Sequence, residues 1–344
     1  MRKARLAIVG ATAAAGAAYQ RTNEASDLRR HSPPGRLVDV GGRRLHAVVA
    51  GTGQPAIVVE TGAGALALGW RTVADRLSAT NQVVAYDRAG YGWSDPPPLR
   101  PRTGDDVAGD LRALLDAEAE PGPYVLVGHS LGGLYVRAFA ARYPKAVAGL
   151  VLVDPTHENL PRLMRERLGR RALVAQAAMS VTLAAFPRSL MRLGIRLGPL
   201  RGIARQMFGG DSDDEFDLRA ALYLRRGFRV ASLAETIGMP ATMARLRKQR
   251  SLNNLPLAVV SSAEPAPDAA GLLARYRQEW VELHAELASL SSTSTHLVAS
   301  AGGHFIHVDD PDAVGTAIRW VLDHSPAIPR SFTDDDGGGA AVIS

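Results

Sequence analysis

Val125-Leu-Val-Gly-His-Ser-Leu-Gly-Gly-Leu134 changes character twice over its length. Tyr124 to Val127 is a short apolar run of β-forming residues, Gly128-His129-Ser130-Leu131-Gly132 is a glycine-flanked turn, and Gly133 to Tyr143 repeats apolar residues at helical spacing. Strand, turn and helix around Gly-x-Ser-x-Gly is the setting of a nucleophile elbow. Side chains at 128 or 132 would collide with the neighbouring strand or helix, and Ser130 is forced into a strained backbone that lifts its Oγ clear of the sheet. The helix starting there aims its positive end and free N–H groups at the same spot, where charge on a bound acyl oxygen would be stabilised. Serine is also a favoured helix N-cap, so this stretch alone leaves a structural role open. Partners elsewhere in the chain have to decide.

The chain has 344 residues, 46% of them hydrophobic, which is ample for a large core and shows no sign of global disorder. One domain with an insertion is expected. Cysteine is absent, which excludes disulfides and thiolate metal sites. A net charge of +6 favours anionic surfaces. No nucleic-acid-binding motif accompanies that charge, so nucleic acid is not an expected partner.

Met1-Arg-Lys-Ala-Arg5 is a basic start, followed by an apolar, alanine-rich run from Leu6 to Tyr19. That run falls short of the roughly 20 residues that span a bilayer. With small residues at Ala15-Gly-Ala17 it reads as an export signal or anchor, the alternative being an ordinary helix of a cytoplasmic protein. Gln20 to Gly35 is polar, ends in Pro33-Pro34-Gly35, and reads as a linker.

Arg36 to Val40 and Arg43 to Val49 alternate around Gly41-Gly42 as a hairpin would. Ala56 to Val59 is an apolar strand running into Glu60-Thr-Gly-Ala-Gly64, a loop that lacks the lysine of a phosphate-binding loop but can offer a bare backbone N–H to an oxyanion. Gln82 to Tyr86 ends at Asp87-Arg-Ala-Gly-Tyr-Gly-Trp-Ser-Asp95, where both aspartates are suited to organising a loop. Val147 to Val153 is the apolar strand of a parallel sheet interior and terminates at Asp154. Repeated strand and helix alternation implies a doubly wound, mostly parallel α/β sheet with its ligand crevice at the carboxyl ends of the strands.

From 159 to 254 the strand rhythm stops and the sequence turns helical, rich in Arg, Leu, Met and Ala. Leu163, Leu168, Leu173, Leu183, Phe186, Leu190, Met191 and Leu193 give it an apolar face among many arginines, which suits a membrane surface or a face turned to the core and site. The sheet resumes at Leu255 to Val260, passes Glu264 and Asp268, continues through a helix carrying Tyr276, Trp280, Leu283 and Leu287, and ends with a strand delivering Gly302-Gly303-His304-Phe-Ile-His307. The expected organisation is residues 1–35 as signal or anchor plus linker, 36–158 and 255–324 as core, 159–254 as an inserted helical cap, and 325–344 as a flexible tail.

A histidine after the last strand, behind two glycines and well downstream of Ser130, can reach the elbow as a general base. His304 fills that role, and His307 beside Asp309 and Asp310 is read as a rim or structural residue. With these pieces the chain resembles the α/β-hydrolase fold superfamily with a helical cap, on the strength of Glu60-Thr-Gly-Ala, Asp87-Arg-Ala-Gly-Tyr-Gly-Trp-Ser, Gly-His-Ser-Leu-Gly-Gly and Gly-Gly-His-Phe-Ile-His. The likeness runs from Leu37 to about Asp323, the cap aside. It implies Ser130 as nucleophile, His304 as base, and the backbone N–H groups of Leu131 and Ala63 as oxyanion hole. The family's usual His-Gly in the oxyanion loop is Thr61-Gly62 here, preceded by Glu60, which keeps the backbone donor and changes its side-chain support.

The acid has three candidates. Many relatives place it after the strand corresponding to Leu257 to Val260, where Asp268 and Glu264 stand among prolines; others place it one strand earlier, at Asp154. Asp154 is ranked first, Asp268 second and Glu264 third. The implied chemistry is acyl transfer from an ester-like, small or lipophilic substrate to water, with neither metal nor organic cofactor required. Serine at the elbow argues against dehalogenase and epoxide hydrolase chemistry, which need a carboxylate nucleophile. A perhydrolase or haloperoxidase, an amide or carbon–carbon bond hydrolase, and a non-catalytic ligand binder share the same fold. The sequence does not specify an oligomeric state.

Cell fractionation with N-terminal sequencing tests the export reading. The expected product lies outside the cytoplasm or on its membrane, and an intact Met1 in the soluble cytosolic fraction excludes a cleaved signal.

Overall fold

The computed structural model describes residues 2–119, 121–163, 165–166, 187–210, 212–262, 272–300 and 302–325, with side chains from Ala14 onward except in 272–277. The expected tail beyond Ser325, the apolar positions Leu168, Leu173, Leu183 and Phe186, and the acid candidates Glu264 and Asp268 lie outside the described residues.

Eight strands form one sheet: β1 (Arg36–Asp39), β2 (Arg44–Ala50), β3 (Ile57–Glu60), β4 (Val83–Tyr86), β5 (Tyr124–His129), β6 (Val147–Val153), β7 (Leu257–Ser261) and β8 (Ser294–Val298). Their spatial order is β1-β2-β4-β3-β5-β6-β7-β8. The two N-terminal strands run antiparallel to their neighbours, and every pairing from β4 to β8 is parallel. The chain moves outward from β3 to β4 and then returns to the other side of β3 as β5. That reversal opens a crevice between the loops leaving β3 and β5, where ligands bind in open α/β sheets.

The apolar runs follow from burial on both faces, because successive strand residues point to opposite sides. Val58, Val84, Leu126, Leu150, Leu152, Leu257 and Val259 face one layer of helices, α3 (Gly104–Glu118), α4 (Leu131–Arg142) and α9 (Leu272–Ala288). Ile57, Val59, Val125, Val127, Val151, Val153 and Val260 face the other, which contains α2 (Arg71–Leu77) and α11 (Pro311–His324). A short helix, α10 (Ile306–Asp309), precedes α11.

Between β6 and β7 the described segment is helical: α5 (Arg188–Arg196), α6 (Arg201–Phe208), α7 (Asp213–Tyr223) and α8 (Arg226–Leu246). Pro240 sits inside α8. This helix is seated by small residues. A Cβ on Gly238 would lie 1.8 Å from the Arg102 carbonyl oxygen, and one on Gly90 would lie 2.6 Å from that of Gly227. Arg102 N–H donates to Ala234 O at 2.9 Å and Gly104 N–H to Thr242 Oγ1 at 2.8 Å, so backbone contacts close over this seam.

The linker expected over Gln20 to Gly35 differs from the structure. One helix, α1, runs from Arg2 to Arg30. Its polar second half is built of helix formers and meets no proline before Pro33, so polarity there marks a docked helix and not a loose connection. Gln20 Nε2 donates to Leu224 O at 2.7 Å, Asp27 pairs with Arg192 of α5, and Glu24 accepts from Arg226 N–H. Beyond the helix, Trp93 Nε1 donates to His31 O at 2.7 Å and His46 Nε2 donates to Pro34 O. Among the described residues no helix is long and apolar enough to cross a membrane.

Two glycine substitutions should move stability in opposite directions. Gly238→Ala forces backbone apart and should cost about 1–3 kcal/mol. Gly202→Ala, inside α6 with nothing within 4 Å of the new methyl, should gain about 0.4–1 kcal/mol by restricting the unfolded chain. Chemical denaturation of both variants checks the pair of signs.

Candidate active site

Ser130 sits between β5 and α4 with φ 52° and ψ −120°, a conformation that costs a non-glycine residue about 1–3 kcal/mol. The surroundings hold it there. Its N–H donates to Val153 O at 3.0 Å, and its carbonyl accepts from Gly133 N–H at 3.0 Å and Thr156 N–H at 2.9 Å. A Cβ on Gly128 would lie 2.7 Å from Gly132 O, and one on Gly132 would lie 2.3 Å from Glu60 O. Both flanking glycines are therefore steric necessities of the turn. No side-chain cap bond is made by Ser130, which leaves its hydroxyl free for other partners.

His304 supplies one. Its Nε2 lies 2.9 Å from Ser130 Oγ and its Nδ1 lies 2.6 Å from Asp154 Oδ2. An ionised carboxylate only accepts, so Nδ1 carries the proton and Nε2 presents its lone pair to the serine hydroxyl. The loop carrying His304 is shaped by Gly302 at φ +92° and tied by Gly303 N–H to Asp309 Oδ2 at 3.1 Å; Ser300 N–H and Oγ bond Asp310. His307 lies buried with its ring stacked on Trp70, 4.3 Å between centroids, away from the serine line. His129, between the glycine and serine of the elbow, donates from Nε2 to His304 O at 2.8 Å. Burial, aided by the neighbouring His304, lowers its pKa to about 4 and keeps that ring neutral.

Asp154 follows β6 at φ 40°, with its N–H on Val260 O at 2.7 Å. Its second oxygen accepts from Ser262 N–H at 3.2 Å, Ser262 Oγ at 3.0 Å and Trp280 Nε1 at 3.3 Å. Burial alone would raise its pKa, but the hydrogen bond from His304, the nearby His284 and the Ser262 N–H outweigh it and hold the group at about 2. Two further histidines, His284 and His296, have their proton order fixed by one carbonyl. Pro155 O must accept from His284 Nε2 at 2.9 Å, so His284 Nδ1 accepts from Ser261 Oγ at 2.7 Å, and Ser261 Oγ in turn accepts from His296 Nε2 at 2.7 Å. Burial lowers the His284 pKa to about 4, which agrees with its neutral place in this chain.

The two expected oxyanion donors are backbone groups beside the serine. Leu131 opens α4, so its N–H has no acceptor within the helix. Ala63 follows Gly62 in the loop after β3, and a Cβ on Gly62 would lie 3.3 Å from Ser130 Cβ, so this loop passes directly over the elbow. Beneath it lies a group the motif reading did not assign. Arg88 is fully buried between Glu60 and Glu235 of α8, at 2.7 and 2.8 Å. The signal for Glu235 is a lone acid on the small-residue face Ala231, Ala234, Gly238 and Thr242 of a helix. Among the described residues no cluster of three or more His, Cys, Asp or Glu could hold a metal ion.

A family model described as the alpha/beta hydrolase fold matches residues 55–190. Among curated relatives, "Probable transporter efuK" of Hormonema carpetanum is 39% identical over 141 residues, which make up 39% of this chain and 20% of that protein. The 2-hydroxy-6-oxo-2,4-heptadienoate hydrolase of Pseudomonas putida is 36% identical over 121 residues, 35% of this chain and 44% of the relative. The chain thus matches less than half the length of either relative. Among solved structures, Cfl2 from Burkholderia cenocepacia aligns with a TM-score of 0.61 and 26% identity, covering 83% of this chain and 94% of that one. The eight-stranded, mostly parallel sheet with a serine turn after β5, together with these likenesses, gives this chain the α/β-hydrolase fold.

Proposed function

We propose that the protein is a serine hydrolase that cleaves ester-like bonds of a small or lipophilic substrate. The observation carrying this reading is the unbroken hydrogen-bonded line Ser130–His304–Asp154, anchored on a strained turn at the switch point of the sheet. Ser130 Oγ attacks the substrate carbonyl carbon while its proton passes to His304 Nε2. The resulting oxyanion is met by the N–H groups of Ala63 and Leu131, and the imidazolium is stabilised by Asp154. His304 then protonates the leaving alkoxide, and a water activated by the same ring releases the acyl group from Ser130. The helical segment between β6 and β7 acts as a cap over this crevice, and Phe228, next to Gly64 of the oxyanion loop, lends the site an apolar wall.

A second reading is favoured by the likeness to the heptadienoate hydrolase: attack on an oxo-dienoate by the same three side chains. Failure to turn over p-nitrophenyl esters of any chain length, with cleavage of an oxo-dienoate, would select it. For location we propose export or anchoring through the basic, apolar start of α1. Loss of the residues up to Ala17 leaves the contacts made from Gln20 to Pro34 intact.

In a p-nitrophenyl ester assay, Ser130→Ala should abolish turnover with the fold retained. His304→Ala should cost orders of magnitude and His307→Ala far less. Asp154→Asn should lower kcat by about 10⁴-fold, because the asparagine favours the wrong histidine tautomer. Near wild-type turnover in Ser130→Ala, or a reversed ranking of the two histidines, overturns the assignment.

The acid also makes a pH prediction. Its folded pKa of about 2 lies below the ordinary 3.8, so its stabilising contribution is present above about pH 4 and is lost as pH falls through 2. Acid unfolding of the wild type beside Asp154→Asn measures that difference.

A further inference from the structure

Arg88 bonds both the loop after β3 and the helical insertion. Its five N–H groups are all used. Nε donates to Glu235 Oε1 at 2.8 Å and Nη2 to Glu235 Oε2 at 3.1 Å, a two-pronged grip on α8. Nη2 also donates to Gly62 O at 2.8 Å, and Nη1 donates to Thr61 O and Glu60 Oε1, each at 2.7 Å. Tyr91 OH donates to Glu235 at 3.1 Å and Tyr86 OH to Glu60, so both carboxylates are held from a second side. Arg88, Glu60, Glu235 and Thr61 are all at most 2% exposed, which makes these bonds strong and their loss costly.

The carbonyl bonds have a directional consequence. A peptide unit is planar and trans, so its C=O and N–H point opposite ways. Holding Gly62 O against the guanidinium turns the N–H of Ala63 away from Arg88. That N–H is the proposed oxyanion donor. The guanidinium can keep this orientation only while its own plane is fixed, and two of the bonds that fix it come from Glu235, 147 residues later in the chain.

We propose that Glu235 is a positioning residue which, through Arg88, makes the orientation of the Ala63 N–H depend on the seating of α8 against the core. The insertion then does more than shape the substrate space: its docking sets the oxyanion hole. With α8 lifted, Arg88 loses two of its acceptors, the Gly62–Ala63 peptide is free to rotate, and transition-state stabilisation falls while ground-state binding persists. This rests on the serine hydrolase reading, in which Ala63 faces the oxyanion.

The test is Glu235→Gln in the full-length protein, which keeps the shape of the side chain and removes its charge. Active sites are counted with a fluorophosphonate, and kcat and KM for a p-nitrophenyl ester are expressed per counted site. The affinity of a trifluoromethyl ketone, whose adduct carries the oxyanion, is measured alongside. The expected result is a roughly tenfold lower kcat per site, KM within twofold, a matching loss of ketone affinity, and faster amide exchange over 61–65. One lost oxyanion donor costs about 10²–10³, and a misaimed one should cost less.

Wild-type kcat per site and ketone affinity, with only a lower melting temperature or fewer countable sites, would show a purely structural role and overturn the proposal. If Glu235→Gln does not fold, Glu235→Asp, which keeps the charge and shortens the reach, is read by the same criteria. A wild type that neither reacts with fluorophosphonate nor cleaves esters refutes the hydrolase reading instead. The coupling is then judged on exchange over 61–65 alone, where wild-type rates in the variant reject it.

Discussion

Gly132, in the first turn of α4, is pressed against the carbonyl oxygens that end β3, so closely that a methyl group there would lie 2.3 Å from one and 2.7 Å from the other. The rest of the site depends on this approach. It brings the start of a helix within reach of the loop leaving the neighbouring strand, so that Gly62 of that loop and the serine turn, which belong to two different elements, meet at one place. It also forces the chain to turn sharply at Ser130. Strain of this kind persists only where the surroundings over-determine the backbone. Among the described residues three non-glycine positions have positive φ, namely Ser130, Asp154 and Asn253, and two of them belong to the hydrogen-bonded line at the crevice.

Buried ion pairs join the pieces around that line. Arg137 of α4 pairs with Glu158 just before the insertion, Arg102 with Asp110 below the seat of α8, and Arg88 with Glu60 and Glu235. Such pairs add little net stability over an apolar packing, because desolvation consumes most of the attraction, yet breaking one costs about 3–5 kcal/mol. Their effect is therefore one of register: an apolar seam tolerates sliding, whereas a buried guanidinium accepts a single arrangement of acceptors. The glycine and alanine seam of α8 supplies closeness, and the charges fix where along the seam it rests.

The fold and two of the three linked side chains were legible because their signals are local. Ser130 announces itself by glycines at fixed offsets, and His304 by the paired glycines after the last strand. The sheet was legible because residues buried on both faces leave few polar positions between strand ends. The acid was not settled by sequence, since Asp154, Asp268 and Glu264 all follow strands, and which strand end lies beside the histidine is a matter of sheet order. Arg88 stood in view within Asp87-Arg-Ala-Gly-Tyr, but its meaning resides in Glu235, whose approach no local pattern encodes. The polar stretch after Tyr19 misled because composition alone cannot distinguish a solvated linker from a helix whose polar side chains bond a neighbouring surface.

That helix and the short segment after it change where the folded unit begins. Hairpin strand β1 opens at Arg36, and a boundary drawn there would look natural. Yet the indole of Trp93, the imidazole of His46 and the guanidinium of Arg192 all complete their bonding with residues upstream of it. Cutting at Arg36 would strand three polar groups in partly or wholly buried positions, each at a cost of about 1–3 kcal/mol. The sum approaches the whole margin by which a typical domain stays folded. The second half of α1 therefore belongs to the body of the protein as fully as the strands that follow it.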